Sequence, residues 1–575
     1  MGAKVTIINE VLLSLRSKIV DMYRITIVLV FLLSSILTLQ SQNKYEIRAT
    51  WLTTLGGMDW PSYKATSPAG IQRQKNELCQ ILDELKKAHF NTVLLQTRLR
   101  GDMIYPSIYE TFAESLAGKA GRNPGYDPLS FAIEECHKRG LSLHAWIVTI
   151  PIGNARQIKL LGRNSVVRKQ PSLCKYFNGS WYLDPGNPRT ADYLSGIVKE
   201  IVRKYDIDGI HLDYIRYPEH GKRFPDQREF RKYGRGKSLN QWRRDNITQI
   251  VRRLYSDVKA LKPWVVVSSS PVGKYNDTHR YRSLGWNAYQ EVYQDAQGWL
   301  KEGIHDALFP MMYFKGNQFY PFALDWMENK NGRWIIPGLG VYFLHPSEAN
   351  WKLDDVVKQI YFTRKMKLEG QAYFRNKFLL DNTKGLWDEL KLNFYTAPAV
   401  IPPLTWIDSI APAAPTLPSF VNFERNILLR WNPSATQKAG GILYRVYASN
   451  SYPVDIQQGD NLIANGIQGN EYLFAPSVPW MKRLFWAVTA VDRYGNESSA
   501  LPLNQPQGNS LEVYENKLPE IPSQYTLVIS DATGMEIFRT KDSNPSILKQ
   551  LKAGFYRISL IHPNGSKKLI GTLIR

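Results

Sequence analysis

The chain has 575 residues, enough for about two to four domains with separate cores. Lysine and arginine outnumber aspartate and glutamate by 73 to 51, and the resulting formal charge of +22 favours polyanionic partners. No helix-turn-helix, zinc-finger or RNA-recognition motif is present, so we expect no nucleic-acid partner. The three cysteines (Cys79, Cys136 and Cys174) are odd in number and lack metal-ligand spacing, so we expect no metal and no cofactor.

The first apolar stretch predicts a secretory signal peptide. Residues 22–41 read MYRITIVLVFLLSSILTLQS, with a short basic start and an apolar run from Ile25 to Leu39. This run is short for a spanning helix, and no basic stop-transfer patch follows it. We therefore expect Met22 to be the true start, residues 1–44 to hold an upstream extension and the signal, and the protein to be exported to the periplasm, cell surface or medium. After signal cleavage we expect no integral membrane segment.

From Tyr45 to about Ala399, strand-like runs alternate with amphipathic helical stretches. The predicted strands are Ile47–Thr53, Asn91–Arg98, Leu141–Val148, Asp208–Ile215, Val265–Ser270, Ala307–Phe314, Trp334–Tyr342 and Gln371–Phe374. The predicted helices include Ile71–Ala88, Pro128–Arg139, Arg189–Tyr205, Leu239–Leu261, Ala288–Lys301, Leu353–Lys367 and Gly385–Leu392. This alternation predicts an α/β fold of the (β/α)8 TIM-barrel type over residues 45–399. The alternative is a doubly wound open sheet; the lack of a glycine-rich turn after the first strand counts against its nucleotide-binding form.

The rest of the chain predicts two small all-β domains. A Pro-rich linker at 400–415 precedes short strands and turns at 416–510, which include AVDRYGNES at 490–498. This ending resembles the last hairpin of a fibronectin type III module. Residues 515–575 alternate again and predict a small C-terminal β-sandwich.

The stretch DIDGIHLDYIRYP at 206–218 points most directly to chemistry. On a strand, His211 and Asp213 share one face, while Leu212 and Tyr214 share the other. A buried carboxylate is costly unless it is used or satisfied, and the C-terminal ends of barrel strands carry active sites. The pattern therefore indicates a functional Asp213; the alternative is an aspartate that caps the next turn or pairs with Arg216.

Several short stretches of the barrel region occur in the order typical of one known family. They are EIRATWLTT (46–54), FNTVLLQTRLRGDMIYPS (90–107), YLDPGNP (182–188), DGIHLDYIRYP (208–218), SSSPVGKYND (268–277), DAQGWLKEGIHDALFPMMYF (295–314) and GLGVYFL (338–344). They resemble the bacterial glycosyl hydrolase-like family ten, a TIM-barrel group related to glycoside hydrolases. The resemblance implies cleavage of glycosidic bonds in a bacterial glycan, with peptidoglycan strands as the expected polysaccharide partner.

Glycoside hydrolysis needs two carboxyl groups, one acting as acid and the other as nucleophile or base. The resemblance assigns the second role to Asp213. The acid stays open among Asp102, Asp277 and Asp325, each of which a loop cap or a local pairing would also explain. No glutamate stands at the C-terminal end of a predicted strand, which favours as alternatives a non-catalytic glycan-binding or scaffold protein, or a hydrolase of another polysaccharide.

Polar and aromatic residues near the predicted strands are candidates for sugar binding. They are Trp51, Gln96, Arg98, His144, Trp146, His211, Lys274, Asn276, Tyr313 and Tyr342. Core packing is the alternative for each aromatic ring, and a hydrogen-bonded barrel position is the alternative for His211. The chain departs from the family in two places: IVTIP follows His144-Ala145-Trp146 where a polar asparagine is usual, and Asp213-Tyr214 replaces a double aspartate. Only the first carboxylate is therefore carried over.

Overall fold

The computed structural model describes residues 44–423, 426–476, 484–505, 512–515, 517–521, 524–531, 535–542, 544–552, 554–563 and 567–575. Apart from Lys44, the predicted extension and signal peptide lie outside the described residues. None of the helices in these ranges is both long and apolar enough to cross a membrane.

Eight parallel strands form a ring. They are β1 (Ile47–Leu52), β2 (Thr92–Arg98), β3 (Ser142–Val148), β4 (Gly209–Asp213), β5 (Val266–Ser269), β6 (Ala307–Leu308), β7 (Trp334–Ile335, continued by Gly338–Leu339) and β8 (Gly370–Tyr373). Strands β1 to β7 pair with their neighbours in chain order. Strand β8 pairs with both β1 and the second part of β7, which closes the ring. The fold is therefore α/β and TIM-barrel-like, and the alternative of an open doubly wound sheet was wrong.

Each strand of the ring is followed by at least one helix. These helices are α1 (Pro68–Lys87), α2 (Pro128–Lys138), α3 (Arg189–Lys204), α4 (Leu239–Leu261), α5 (Ala296–Lys301), α6 (Tyr320–Glu328), α7 (Leu353–Lys365) and α8 (Leu386–Glu389). Shorter helices cover Glu114–Ala117, Ala155–Leu161, Val166–Lys169, Gln227–Tyr233, Ala288–Glu291 and Asn376–Leu380. The N-terminal caps follow the sequence: Ser67 and Asp127 accept backbone N–H groups, and a proline comes directly after each of them.

Three predicted elements differ from the structure. The predicted helix Ala288–Lys301 is two short helices, because Tyr293 has a left-handed φ of 57° and Asp295 caps a new start. The predicted strand at 307–314 is a continuous strand only over its first two residues, with isolated bridges at Met311, and that at 334–342 is interrupted. Pro310 and Pro337 lie at these breaks, where proline has no N–H for a sheet ladder.

A small antiparallel sheet lies between β3 and α3. Its strands are Pro151–Asn154, Cys174–Phe177 and Ser180–Leu183, in the order first, third, second. Asn178 and Gly179 form the tight hairpin turn with φ values of 44° and 81°. An Asn-Gly pair with two positive φ angles matches a type I′ turn. This sheet stands at the C-terminal end of β3.

The segment predicted as a linker closes the opposite, N-terminal end of the barrel. Leu404 belongs to the same buried cluster as the interior rings Trp51 and Phe309, and Trp406 packs against that cluster. Trp406 Nε1 donates to Asp306 Oδ1 at 2.9 Å, which ties the segment to the start of β6. The β-sheets that follow the barrel add an ion pair between Arg493 and Asp206.

Several β-sheets follow the barrel. The strands Thr416–Phe423, Asn426–Asn432 and Glu471–Phe474 form one sheet; Ile442–Ser449, Leu462–Ile467, Phe485–Asp492 and Leu501–Pro502 form a second. A shared core including Trp431, Val446 and Trp486 joins these two sheets. The fibronectin type III-like assignment of 416–510 and the division into separate domains stay predictions.

The described part of the C-terminal region forms one five-stranded sheet. Its strands are Glu512–Glu515, Thr526–Ser530, Glu536–Thr540, Phe555–Ile561 and Lys567–Ile574. Ile547 and Leu548, from the 3-10 segment Pro545–Gln550, cover its apolar side chains. The predicted β-sandwich at 515–575 is therefore corrected, within the described residues, to a single sheet covered by this segment.

We expect Leu404→Ala to lower the free energy of unfolding by about 2–5 kcal/mol, because it opens a cavity at the N-terminal end of the barrel. Leu404 is 2% exposed. Leu392→Ala is the matched control: this leucine is 71% exposed, and its loss should change the free energy by less than about 0.5 kcal/mol. Urea unfolding followed by circular dichroism measures both. Equal effects would show that residues 400–407 do not stabilise the barrel.

Candidate functional site

The carboxylate of Asp213 is held at the C-terminal end of β4 by three hydrogen-bond donors. Trp146 Nε1 on β3 donates to Oδ2 at 3.0 Å, and Ser270 Oγ, just after β5, donates to Oδ1 at 2.8 Å. The backbone N–H of Tyr214 also donates to Oδ1 at 2.8 Å. Asp213 is only 5% exposed, so its position and orientation are set by three neighbouring strands. The sequence predicted Trp146 as a sugar contact; the structure bonds it to the carboxylate.

Burial raises the pKa of Asp213, and this effect is opposed by Ser270, Tyr214, Trp146 and the nearby charge of Arg216. The carboxyl therefore takes up a proton at a higher pH than an exposed aspartate would. Its anion nevertheless has a hydrogen bond on each oxygen. A fixed, poorly solvated carboxylate of this kind is suited to act as a base or nucleophile.

The turn after β4 is strained. Tyr214 has a φ of 51°, a left-handed conformation that costs a residue with a bulky side chain about 1–3 kcal/mol. The strain turns the phenol ring outward, where it is 36% exposed. The Arg216 guanidinium lies 4.8 Å from the centre of that ring. Strained backbone next to a buried carboxylate is typical of functional sites.

A cleft of about 850 Å³ adjoins this turn. We call it the mouth cleft, and its lining includes Arg100, Tyr182, Tyr214, Arg216, Glu219 and His220. One wall comes from the small antiparallel sheet and the other from the residues that follow Asp213. Its walls combine aromatic rings with cations and one carboxylate, a composition suited to a polar ligand.

Aromatic rings line the ends of β6, β7 and β8. Tyr313 stacks on Phe374 with ring centres 5.6 Å apart, and Tyr342 meets both rings edge-on at 5.8 Å. All three side chains are half-buried. Burial is the main cause that raises the pKa of Tyr313, and the charge of Asp213 adds to it, so the two groups are neighbours. The roles of Tyr313 and Tyr342 in sugar binding stay predictions.

Two residues that were predicted to bind sugar form hydrogen bonds within the barrel domain. Gln96 Oε1 accepts from Thr53 Oγ1 at 2.6 Å and from two backbone N–H groups after β1. Arg98 is fully buried, makes two bonds to Glu110 at 2.6 and 2.8 Å, and donates to the carbonyl of Thr149 at 2.8 Å. With these groups paired, Arg98 is not open to a ligand, which corrects its prediction as a substrate contact. The Gln96 carbonyl oxygen is likewise used by the fold, while a substrate contact through the Gln96 amide N–H groups stays a prediction.

Lys274 and Asn276 also serve the fold. The Lys274 ammonium is buried, donates to the carbonyl of Ser283 at 2.9 Å and to Gln318, and lies 4.3 Å from the ring centre of Phe314. Asn276 Oδ1 accepts from the backbone of the next residue and from Gln290. Both side chains hold the loop after β5, so the substrate role predicted for them is not supported.

Three predicted residues lie inside the barrel or at its far end. His211 is fully buried between Trp51 Nε1 at 3.2 Å and Ser268 Oγ at 3.0 Å, and it titrates well below its usual pKa because of burial. Trp51 is likewise buried in the interior. His144 pairs with Gly209, the first residue of β4, and lines a separate cleft of about 1090 Å³ beside Leu404. The predictions of these three as substrate contacts were therefore wrong: Trp51 and His211 pack inside the barrel, and His144 lies at its N-terminal end.

The three aspartates predicted as candidate acids, Asp102, Asp277 and Asp325, lie in different surroundings. Asp277 is exposed and accepts from Ser283 N–H at 2.7 Å and Oγ at 2.6 Å; these bonds lower its pKa and make it a loop cap. Asp325 lies within α6 and accepts from Gln297 of α5 at 2.8 Å, so it joins two helices. These positions do not support either residue as the acid. Burial raises the pKa of Asp102 to about 6, which suits a proton donor, although Asp102 lines a different cleft from Tyr214 and Arg216.

Sequence reasoning missed several residues of the mouth cleft. Tyr214 and Arg216 alternate with Asp213 along the sequence, so strand periodicity placed them on the opposite face. The strand ends at Asp213, and the turn breaks that alternation. Glu219 follows six residues after Asp213, beyond the predicted strand. Asn178-Gly179 was the available signal for the sheet that supplies Tyr182.

Among the described ranges, no group of three or more His, Cys, Asp or Glu side chains is arranged to hold a metal ion.

Comparison with known proteins assigns the barrel to a family. The sequence profile of Glycosyl hydrolase-like 10 matches residues 46–343. The chain belongs to this family. A relative from Bacillus subtilis (strain 168), "Glycosyl hydrolase YngK", is 31% identical over 500 residues, which cover 82% of this chain and 95% of that protein. "Glycosyl hydrolase DigH" of Escherichia coli (strain K12) is 33% identical over 294 residues, covering 48% of this chain and 66% of that protein.

Among solved structures, the glycoside hydrolase domain of PgaB (BpsB) from Bordetella bronchiseptica aligns with a TM-score of 0.43 and 14% identity. The alignment covers 60% of this chain and 98% of that domain.

We expect Ser270→Ala to raise the pKa of Asp213 further, because it removes a donor that stabilises the carboxylate. Ser269→Ala is the matched control: its buried hydroxyl has no partner and does not reach the carboxylate. The titration can be followed by 13C NMR of protein labelled at aspartate Cγ, with the Asp213 signal assigned by its loss in Asp213→Asn. An unchanged pKa in Ser270→Ala would show that this hydrogen bond does not tune the carboxyl.

Proposed function

We propose that this protein is an exported glycoside hydrolase that cleaves glycosidic bonds in peptidoglycan glycan strands. The observation that carries the proposal is the buried carboxylate of Asp213, held by three donors at the C-terminal end of β4 in a glycosyl hydrolase-like barrel. The basic net charge of +22 favours contact with anionic envelope polymers. The apolar segment at 25–39 supports export.

In the proposed reaction, Asp213 acts on the anomeric carbon of the sugar, either directly as nucleophile or by removing a proton from the attacking water. The bond from the anomeric carbon to the leaving oxygen breaks, an acid gives that oxygen a proton, and the hydroxyl of water ends on the sugar. The hydrogen bonds from Trp146 and Ser270 keep the two carboxylate oxygens in a fixed orientation. Such preorganisation reduces the reorganisation needed in the transition state.

We assign the acid to Glu219. It lines the mouth cleft together with Tyr214 and Arg216, the residues that directly follow Asp213. Asp102 is the second candidate, since burial raises its pKa to about 6 and it would carry a proton under mildly acidic conditions. The place of Glu219 in the cleft beside the turn that follows Asp213 is the stronger argument, because the acid and the base or nucleophile must act on the same glycosidic bond.

Asp213→Asn should lower the rate of release of soluble fragments from peptidoglycan by at least about 100-fold, since the variant loses its base or nucleophile. Asp277→Asn is the control, because that aspartate caps an exposed loop. Neutral polysaccharides are assayed in parallel to test the substrate class. Equal rates for wild type and Asp213→Asn would remove Asp213 from the mechanism.

Glu219→Gln should reduce hydrolysis of natural glycan much more than hydrolysis of an aryl glycoside with an acidic phenol as leaving group. Such a phenol departs without a proton, so the loss of an acid is masked. Asp102→Asn is tested alongside. The assignment fails if Asp102→Asn shows this selective loss and Glu219→Gln does not.

A second candidate function is a non-catalytic glycan-binding protein. Its support is that the side-chain hydrogen bonds of Asp213 join it only to Trp146, Ser270 and the backbone of Tyr214 within the described residues, with no second carboxyl among them. Under this reading wild type and Asp213→Asn would bind peptidoglycan equally and release nothing. Fragment release by the wild type alone would exclude it.

A further inference from the structure

The guanidinium of Arg216 is buried, and part of it has no hydrogen-bond partner among the described residues. Arg216 is 4% exposed, and its Nε and Nη1 atoms have no hydrogen-bond acceptor within the described part of the chain. It also forms no ion pair within 4.0 Å there, although the charge of Asp213 is close enough to be affected by it. Other buried arginines differ: Arg98 and Arg243 are each bonded twice to a carboxylate.

Burying such a charge is costly. An unpaired ion in a poorly solvated position loses much of its favourable hydration, and a partner of opposite charge is the usual compensation. The rings of Tyr214 at 4.8 Å and Trp286 at 5.8 Å offer cation–π contacts, which return only part of that cost. A protein retains an unsatisfied guanidinium of this kind where a ligand completes its bonding.

The position of Arg216 identifies which ligand would reach it. Arg216 lines the mouth cleft beside Tyr182 and Arg100, and no hydrogen bond joins the Arg100 side chain to another described residue. Glu219 is the one carboxylate among the cleft-lining residues. The two guanidinium groups outnumber this carboxylate, so the cleft keeps a positive charge that suits an anionic group of the ligand whether or not Glu219 carries a proton.

We infer that Arg216 is a specificity residue that binds the carboxylate of an acidic sugar unit in the mouth cleft. This inference rests on the proposed function only in that it places a glycan in this cleft. A planar guanidinium presents paired N–H donors that match the two oxygens of a carboxylate. The aromatic faces of Tyr214 and Tyr182 provide apolar surface for the adjoining ring.

The chemistry fits two sources of carboxylate. One is a hexuronic acid, which carries the group on the sugar ring, and the other is N-acetylmuramic acid, which carries it on a lactyl ether. A short oligosaccharide of each kind is compared with its own methyl ester, which removes the charge and keeps the rest of the molecule. The acid that shows the difference identifies the source.

Binding is measured by calorimetric titration on the Asp213→Asn protein, so that no turnover is needed. We expect at least one of the two acids to bind about 10- to 100-fold more tightly than its ester, as expected for a hydrogen-bonded charge pair. Adding Arg216→Met should bring the ratio close to one, and Arg216→Lys should give an intermediate ratio because it keeps the charge but loses the fork. The control Arg223→Met removes an exposed arginine from the same loop and should keep the full ratio.

Equal affinity for acid and ester in the Asp213→Asn protein, or a preference that survives Arg216→Met, would overturn the inference. The ratio in the protein with Arg216 intact tests it even if the Arg216 variants fold poorly. Turnover by wild type separates the two proposals. Hydrolysis of acid and ester at equal kcat/KM would overturn the subsite and leave the hydrolase proposal intact. A carboxylate preference in binding without hydrolysis of any glycan would support the subsite and overturn the hydrolase proposal.

Discussion

The hydrogen bonding of the Asp213 carboxylate is the interaction on which the C-terminal end of the barrel depends. Its donors come from β3, from the residue after β5 and from the turn of β4 itself. A carboxylate with so little solvent contact can stay ionised only if neighbouring groups replace the lost water. The same three donors therefore align three strands and prepare an anion, so stability and chemistry share one set of contacts.

Much of the barrel follows from periodicity in the sequence. The helix Leu239–Leu261 has the bounds that were predicted, and six of the eight strands are displaced by only a residue or two at their ends. The two poorly predicted strands, near Pro310 and Pro337, fail for one reason. An apolar run indicates burial, whereas ladder pairing also needs an N–H at each paired position, and proline has none. Strand β7 is thus made of two short pieces.

The site was predicted less well than the fold because a polar residue at a strand end can either bind a ligand or pair with another part of the chain. Arg98, Gln96 and Lys274 carry the chemistry expected of sugar contacts, yet each is paired with another part of the chain. Arg216 is also a polar residue near a strand end, but its Nε and Nη1 atoms have no hydrogen-bond partner among the described residues. Only three-dimensional pairing distinguishes these cases, since a sequence shows which donors exist but not which acceptors they meet. Asp213 could be predicted as a functional residue because its position at the C-terminal end of a strand follows from the sequence, without knowledge of its hydrogen-bond partners.

The closure of the barrel by residues 400–407 fixes where the following β-sheets can act. Strand β3 has seven residues and so spans roughly 23 Å between the two ends of the barrel. The following β-sheets contact the N-terminal end through Arg493, while the mouth cleft opens at the other. A module held there cannot reach over the cleft as a lid or add a wall to it. Any contribution it makes to binding a polymer must come from tethering a distant stretch of the same polymer, which raises the local concentration of that polymer at the cleft without contact with the cleft itself.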